Sequence, residues 1–286
     1  MLFRVVDIET ATDSSAFTRG EDKWKLCPAD RQRSGVVYYA VSGDVRLAYE
    51  PSMPPPQAQR VVAVAWCDVE MDPASSPKTY RFVSCETHAG WRLSTASDKV
   101  RDAERLLLYR FREVMVSRPA TLVTWNGRTF DLPVLAMRAL GLGVPWGWYY
   151  DSRDIRYRYS TDGHCDLMDF LSDFGAVRFM KLDDVARLVG LPGKDVPGQE
   201  HIDGSMVGDI VAQSDGQENI DRVARYCLQD VLQTALLFVR TRYHLEIIDA
   251  LGYSTSVGTF AGAPEVLATL SIDWSRLLLD ASQVRP

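Results

Sequence analysis

Four carboxylates and one phenol stand out in this 286-residue chain as groups whose types and spacing could do chemistry together. They lie in three stretches remote from one another: Val5-Val6-Asp7-Ile8-Glu9-Thr10, Asn126-Gly127-Arg128-Thr129-Phe130-Asp131 and Tyr226-Cys227-Leu228-Gln229-Asp230. Carboxylate oxygens are the ligands that hard divalent cations take. Two such cations, ~3.5–4 Å apart, can stabilise both the entering and the leaving oxygen of a phosphodiester hydrolysis. Each stretch alone is weak evidence; the order and spacing of the three carry the reading.

In an extended strand, residues i and i+2 share a face, so Asp7 and Glu9 point together while Val6 and Ile8 point the other way. Two like charges on one face repel unless a cation sits between them. The same tripeptide is also what a polar strand end looks like. Asp131 precedes Leu132-Pro133 at the start of an expected helix. There it can act as a cap or as a ligand, and the cap reading leaves Asn126 and Phe130 beside a strand end unexplained. Tyr226 and Asp230 are four apart on a helix, on the stripe of Val223, Cys227, Thr234 and Leu237. A carboxylate on an apolar stripe costs several kcal/mol unless paired or metal-bound, so Asp230 calls for a cation: an arginine or a metal ion.

Elements that could position these groups follow from the apolar patterning. Leu2 to Ile8 reads as a buried strand, and Arg60 to Cys67 with Thr79 to Cys85 as an antiparallel meander beside it. Residues 11–35 are polar and turn-rich, and the prolines from Pro51 to Pro56 favour an extended loop. Asp98 to Val116 has helical spacing and Ala120 to Trp125 that of a buried strand. From Asp166 onward the pattern is chiefly helical: Asp166 to Phe174, Leu182 to Leu191, Glu218 to Tyr243 and two shorter segments. This succession predicts an α/β domain, a central mixed sheet flanked by helices.

Composition bounds the partners. A net charge of −6 is ill suited to holding polyanions over a broad surface, so any grip on nucleic acid must be local and partly metal-mediated. The five cysteines are odd in number and lack zinc or redox spacing, as reduced thiols of a cytoplasmic protein do. No apolar run approaches the ~20 residues of a membrane helix, and Arg4, Asp7 and Glu9 interrupt any leader-like start. The four histidines show no ligand spacing.

Together the three stretches resemble the exonuclease motifs of the DEDD superfamily and are similar to the proofreading domain of family B DNA polymerases, in particular to stand-alone bacterial predicted 3′–5′ exonucleases related to it. The likeness extends to Asp166-Leu167-Met168-Asp169, Lys181-Leu182-Asp183-Asp184-Val185-Ala186, Gly190-Leu191-Pro192-Gly193-Lys194 and Ile202-Asp203-Gly204-Ser205. In the histidine subgroup the catalytic histidine lies five residues before the last aspartate, a position held here by Arg225, so the tyrosine subgroup is implied.

The resemblance implies a ribonuclease-H-like fold over residues 1–245, with residues 246–286 as a C-terminal helical extension packed on the same domain. It implies two divalent cations, Mg2+ or Mn2+, held by Asp7, Glu9, Asp131 and Asp230. Asp7, Glu9 and Asp230 would hold the ion that activates the attacking water, Asp7 would also bind the second ion, and Asp131 would support that one directly or through water. Tyr226 would orient the water; a phenol with a pKa near ~10 is itself a poor base at neutral pH. Thr10, Asn126 and Phe130 would contact the terminal nucleotide.

The expected partner is a nucleic acid with a free 3′ end, single-stranded DNA first, in repair or proofreading support. RNA trimming by the same chemistry and a catalytically silent nucleic-acid-binding module are the alternatives. Arg153, Arg156 and Arg158, interleaved with Tyr157 and Tyr159, could track a single strand or form a solvated amphipathic edge strand. Trp146 and Trp148 read as packing residues, Asp166 and Asp169 as a helix start or as an extra acid near the site, and Lys181 and Lys194 as phosphate contacts or solvated surface.

Overall fold

The computed structural model describes residues 1–13, 25–26, 37–41, 44–48, 56–90, 97–178, 180–194, 202–212 and 217–278. Most of the turn-rich stretch after β1 and of the Pro51 to Pro56 segment lies outside the described residues. The strands are β1 (Leu2–Thr12), β2 (Lys25–Leu26), β3 (Val37–Val41), β4 (Asp44–Ala48), β5 (Gln59–Met71), β6 (Tyr80–Ala89), β7 (Thr121–Thr124) and β8 (His164–Asp166). The helices are α1 (Ser97–Ser117), α2 (Asp131–Leu142), α3 (Gly147–Asp151), α4 (Arg153–Arg156), α5 (Leu167–Leu171), α6 (Leu182–Leu188), α7 (Val207–Ala212), α8 (Gln217–His244), α9 (Ala250–Ala261), α10 (Pro264–Thr269) and α11 (Trp274–Leu277).

Five strands form the main sheet in the order β6-β5-β1-β7-β8. β5 runs antiparallel to both neighbours, whereas β7 is parallel to β1 and β8 to β7. This mixed sheet with helices on both faces is a ribonuclease-H-like α/β fold. β2, β3 and β4 make a separate antiparallel sheet between β1 and β5 in the chain.

The period-2 alternation of β1 sorts its side chains into two cores. Phe3, Val5 and Ala11 join the cluster built with α8, α9 and α10, while Val6 and Ile8 join the cluster built with α1 and α2. Arg4 belongs to the second face and is fully buried, an apparent conflict settled by its cross-strand partner Asp68. The guanidinium donates to both Asp68 oxygens at 2.7 and 2.8 Å and to the carbonyls of Val114 and Arg118. Pairing and four donated hydrogen bonds are what make such a burial tolerable.

α8 spans about 42 Å at ~1.5 Å per residue and lies across β1, β5 and β6. Its stripe Val223, Cys227, Thr234 and Leu237 is buried, as the helical spacing requires. β6 is an edge strand, and α9 closes it: Ser256 Oγ and Thr259 Oγ1 accept the edge N–H groups of Tyr80 and Phe82 at 2.8 and 2.9 Å. A row of unpaired N–H groups would otherwise invite intermolecular pairing. Gly252 permits this approach, because a Cβ there would lie 2.3 Å from the Lys78 carbonyl. No described helix is long and apolar enough to cross a membrane.

Candidate active site

The C-terminal ends of the parallel strands β1, β7 and β8 and one turn of α8 meet at a single point. On β1, Asp7 and Glu9 lie on the face that α8 covers, and the register of β1 against β5 shifts between Glu9 and Thr10. Such a bulge re-aims the side chains that follow it. From α8, Asp230 reaches the same spot. One oxygen each from Asp7, Glu9 and Asp230 lie within 4.8 Å of one another.

Asp131 completes the group from the other side of β1. It is the first residue of α2, where Phe130 occupies the cap position without a side-chain bond. The capping alternative is therefore corrected: the Asp131 carboxylate accepts the Ile8 N–H at 3.0 Å and shares a hydrogen bond with Asp7. The first residue of α2 thus becomes part of the strand end because a β1 peptide group, left over where pairing with β7 stops at Val5 and Val123, needs an acceptor.

All four acids hold their protons more tightly than free carboxylates. Burial is the first cause in each case. Asp7 is raised further by Asp131, Glu9 and Asp230, and Glu9 by Asp230 and Asp131. Burial pushes Asp131 up to about 7 against the hydrogen bonds that favour its charge. Asp230 is likewise pushed up to about 7, although Lys194 and the Tyr226 hydroxyl both favour its anion. Lys194 is itself paired with Asp203 at 2.7 Å, and no arginine pairs with Asp230 among the described residues. A crowd of oxygen donors with surplus negative charge, half-open at Asp7 and Asp230, fits a hard divalent cation.

Tyr226 is buried, and burial followed by Asp230, Glu9 and Asp7 pushes its phenol far above the usual range. It stays neutral and donates to Asp230, one helical turn on. The Cys227 thiol, also held protonated, lies 3.5 Å from the Asp7 carbonyl and 3.8 Å from its carboxylate. Cys227 was legible in the sequence only as a core residue; its contact with Asp7 depends on α8 crossing β1.

The loop from Asn126 to Phe130 is held from outside the three motifs. Asn126 adopts φ 64°, and a Cβ on Gly127 would meet Thr124 at 2.5 Å, so the Asn-Gly turn needs both residue types. Asp166, at the end of β8, accepts the N–H groups of Asn126, Arg128 and Asp169 at 2.9, 2.8 and 3.2 Å. It is thus the helix start expected from the sequence, and also the anchor of the loop. Only its place two strands from Asp7 could disclose that.

Thr10 donates to Gln59 at 2.7 Å. The Asn126 side chain accepts from Thr129, and Phe130 packs partly buried on the cluster of Val6 and Ile8. Trp146 is buried against Phe111, with Trp148 at its rim. Lys181 is exposed. Residues Arg153 to Tyr159 form α4 and a turn, not an edge strand, because Ser152 caps the helix and the chain must fold back to begin β8.

Residues 54–265 match the family described as "Predicted 3'-5' exonuclease related to the exonuclease domain of PolB". The chain belongs to this family. Asp131, Tyr226 and Asp230 fall inside the family match, while Asp7 and Glu9 precede it and join the site through β1.

Among solved structures, the chain is similar to the family B DNA polymerase from the hyperthermophilic archaeon Pyrobaculum calidifontis, at 16% identity over 91% of this chain and 29% of that one, with a TM-score of 0.44. It is also similar to E. coli Exonuclease I in complex with a 5cy-dT13 oligonucleotide, at 13% identity over 87% of this chain and 45% of that one, with a TM-score of 0.31. This member of the family therefore spans less than a third of the polymerase and under half of the exonuclease.

Proposed function

We propose that the chain is a divalent-metal-dependent 3′–5′ exonuclease that removes 5′-monophosphates from the 3′ end of single-stranded DNA. The observation that carries this reading is the convergence of Asp7, Glu9 and Asp230 oxygens within 4.8 Å, beside a neutral Tyr226 bonded to Asp230. Asp7, Glu9, Asp131 and Asp230 would hold two ions, Mg2+ or Mn2+. When bound, these supply a lowered pKa for the attacking water and charge compensation at the leaving oxygen.

The protein's own groups do the rest. The four buried carboxylates repel one another until a cation arrives, which makes the site selective for charge. The Tyr226 hydroxyl donates its hydrogen bond to Asp230 and keeps its proton, leaving oxygen lone pairs that can accept from a water and fix its direction. Because the phenol pKa is far above neutral, positioning is its role, not proton removal. Asn126, Phe130 and Thr10 border the carboxylates and would contact the terminal nucleotide. In this reading residues 1–245 form the nuclease domain, and the extension from residue 246 seals the β6 edge.

The test is incubation of 5′-labelled single-stranded DNA and RNA with Mn2+, Mg2+ or chelator. Single-nucleotide ladders on DNA that vanish with chelator are expected, as is their loss in Asp7→Ala. Ladders on RNA alone would turn the reading to an exoribonuclease. Binding without a ladder in either metal would leave only a binding module.

A further inference from the structure

Beyond the carboxylates, one surface combines features that the proposed hydrolysis does not use. Tyr150, Tyr157 and Tyr159 are 51%, 48% and 60% exposed on the segment that leads from α3 through α4 into the edge strand β8. The Tyr157 and Tyr159 rings meet edge to face at 5.8 Å, and Tyr159 meets Phe174 at 5.0 Å. Arg153 lies over Tyr157 at 5.7 Å and Arg156 over Tyr150 at 5.1 Å. Neither arginine forms an ion pair among the described residues, although the chain has an excess of acids. Their guanidinium groups are exposed, stacked and available to anions.

The segment is also fixed to the catalytic loop. Arg128, within that loop, donates to the carbonyls of Ile155 and His164 at 3.2 Å each. Arg158 donates to Asp169 at 2.9 Å and to the Phe174 carbonyl at 2.7 Å, and Asp169 follows Asp166, the anchor of Asn126 and Arg128. Arg158 is thus spent on structure, while Arg153 and Arg156 are not. Half-exposed rings on a rigid mount beside unpaired guanidiniums are the elements of sequence-tolerant single-strand binding, in which rings stack on bases and cations meet phosphates.

We propose that Tyr157, Tyr159, Arg153 and Arg156 form a secondary binding surface for single-stranded DNA, engaging nucleotides upstream of the 3′ end held at the carboxylates. The proposal rests on the exonuclease reading for its geometry and deepens it. It makes affinity depend on strand length: a strand long enough to leave the site meets the surface, and a very short one does not.

The experiment measures fluorescence anisotropy of labelled dT3 and dT15 carrying nuclease-resistant phosphorothioate linkages, in Mn2+, for the wild type, Tyr157→Ala/Tyr159→Ala and Arg153→Gln/Arg156→Gln. Loss of stacking should weaken dT15 binding about tenfold or more and leave dT3 unchanged. The arginine pair should in addition flatten the salt dependence. Hydrolysis of a thymidine 5′-monophosphate nitrophenyl ester with Mn2+ should be equal in all three proteins, and equal melting curves control for folding.

Undiminished dT15 affinity in both variants, or equal losses on dT3 and dT15, would overturn the proposal. Tighter, variant-sensitive binding of U15 would overturn the assignment to DNA. Length-dependent binding that the variants abolish, in a protein that cleaves neither oligonucleotide nor ester, would uphold the surface and sink the exonuclease reading instead.

Discussion

Removing divalent cations should make the folded protein lose stability as the pH rises, the reverse of ordinary acid denaturation. Asp131 and Asp230 are pushed up to about 7 by burial, against 3.8 for a free aspartate. Between these values the folded chain retains protons that the unfolded chain has released. Raising the pH therefore favours the unfolded state, and the loss is complete once the pH passes the folded values. One carboxyl displaced this far costs about 4 kcal/mol above pH 7. Asp7 and Glu9 are raised as well, but the four are coupled, so the whole effect is smaller than four independent sites would give.

Between pH 5 and pH 8 one such carboxyl loses about 3 kcal/mol of this, which for a chain of this size corresponds to a melting temperature roughly 5–10 °C lower at pH 8. The assay is far-UV circular dichroism melting across that range, with chelator and then with millimolar Mn2+. Cations should restore most of the loss at pH 8 and little at pH 5, where protons compete for the same oxygens. Asp230→Asn supplies the control: without metal at pH 8 it should melt above the wild type, because the amide oxygen keeps the Tyr226 bond and the charge is gone. Asp203, held well below the ordinary value by Lys194, acts only in more acidic solution, whereas His164, pushed down to about 3 by burial, gains stability as the pH rises from 5 to ~6.5 and opposes the carboxylates there, which the cation and Asp230→Asn differences cancel. A melting temperature in chelator that neither Mn2+ nor Asp230→Asn raises more at pH 8 than at pH 5 would refute the claim that these carboxylates are buried against their charge.

Asp7→Ala should abolish exonuclease activity while leaving the metal-free fold intact, since relieved repulsion offsets lost packing; ladder assays and melting report the two halves. Tyr226→Phe should be milder, about a tenfold loss in kcat, because positioning and not proton transfer is removed; equal collapse in both variants would refute this division of roles. Asp166→Ala frees three N–H groups of the catalytic loop and its neighbour and should destabilise by about 1–3 kcal/mol with a raised KM, seen in denaturant titration and steady-state kinetics. Asp68→Ala strands the Arg4 guanidinium in the core and should cost about 3–5 kcal/mol in the same titration, with no direct effect on metal binding.

Much of the architecture is legible from local pattern. Alternation in Leu2 to Ile8 separates Asp7 and Glu9 from Val6 and Ile8, and the two faces pack into different clusters. The four-residue spacing of Tyr226 and Asp230 makes their hydrogen bond a property of the helix itself. Where local pattern misleads, a longer-range partner decides. Arg153 to Tyr159 alternate like a strand, yet the chain turns there because it must bring β8 alongside β7. Asp131 looks like a cap, yet a peptide N–H from a strand more than a hundred residues earlier claims its carboxylate.

Residue types and periods by themselves therefore determined the sheet-and-helix class, the faces of β1 and α8, and the shared face of Asp7 and Glu9, because side-chain direction follows from backbone geometry within a few residues, while the resemblance implied the full set of four acids. Only the tertiary structure decided that Asp7, Glu9 and Asp230 meet within one ion's reach, that Asp166 holds the loop of Asn126, and that Cys227 touches Asp7. Burial and electrostatic coupling are properties of groups brought together across the chain, and distance in space is not written in distance along the sequence.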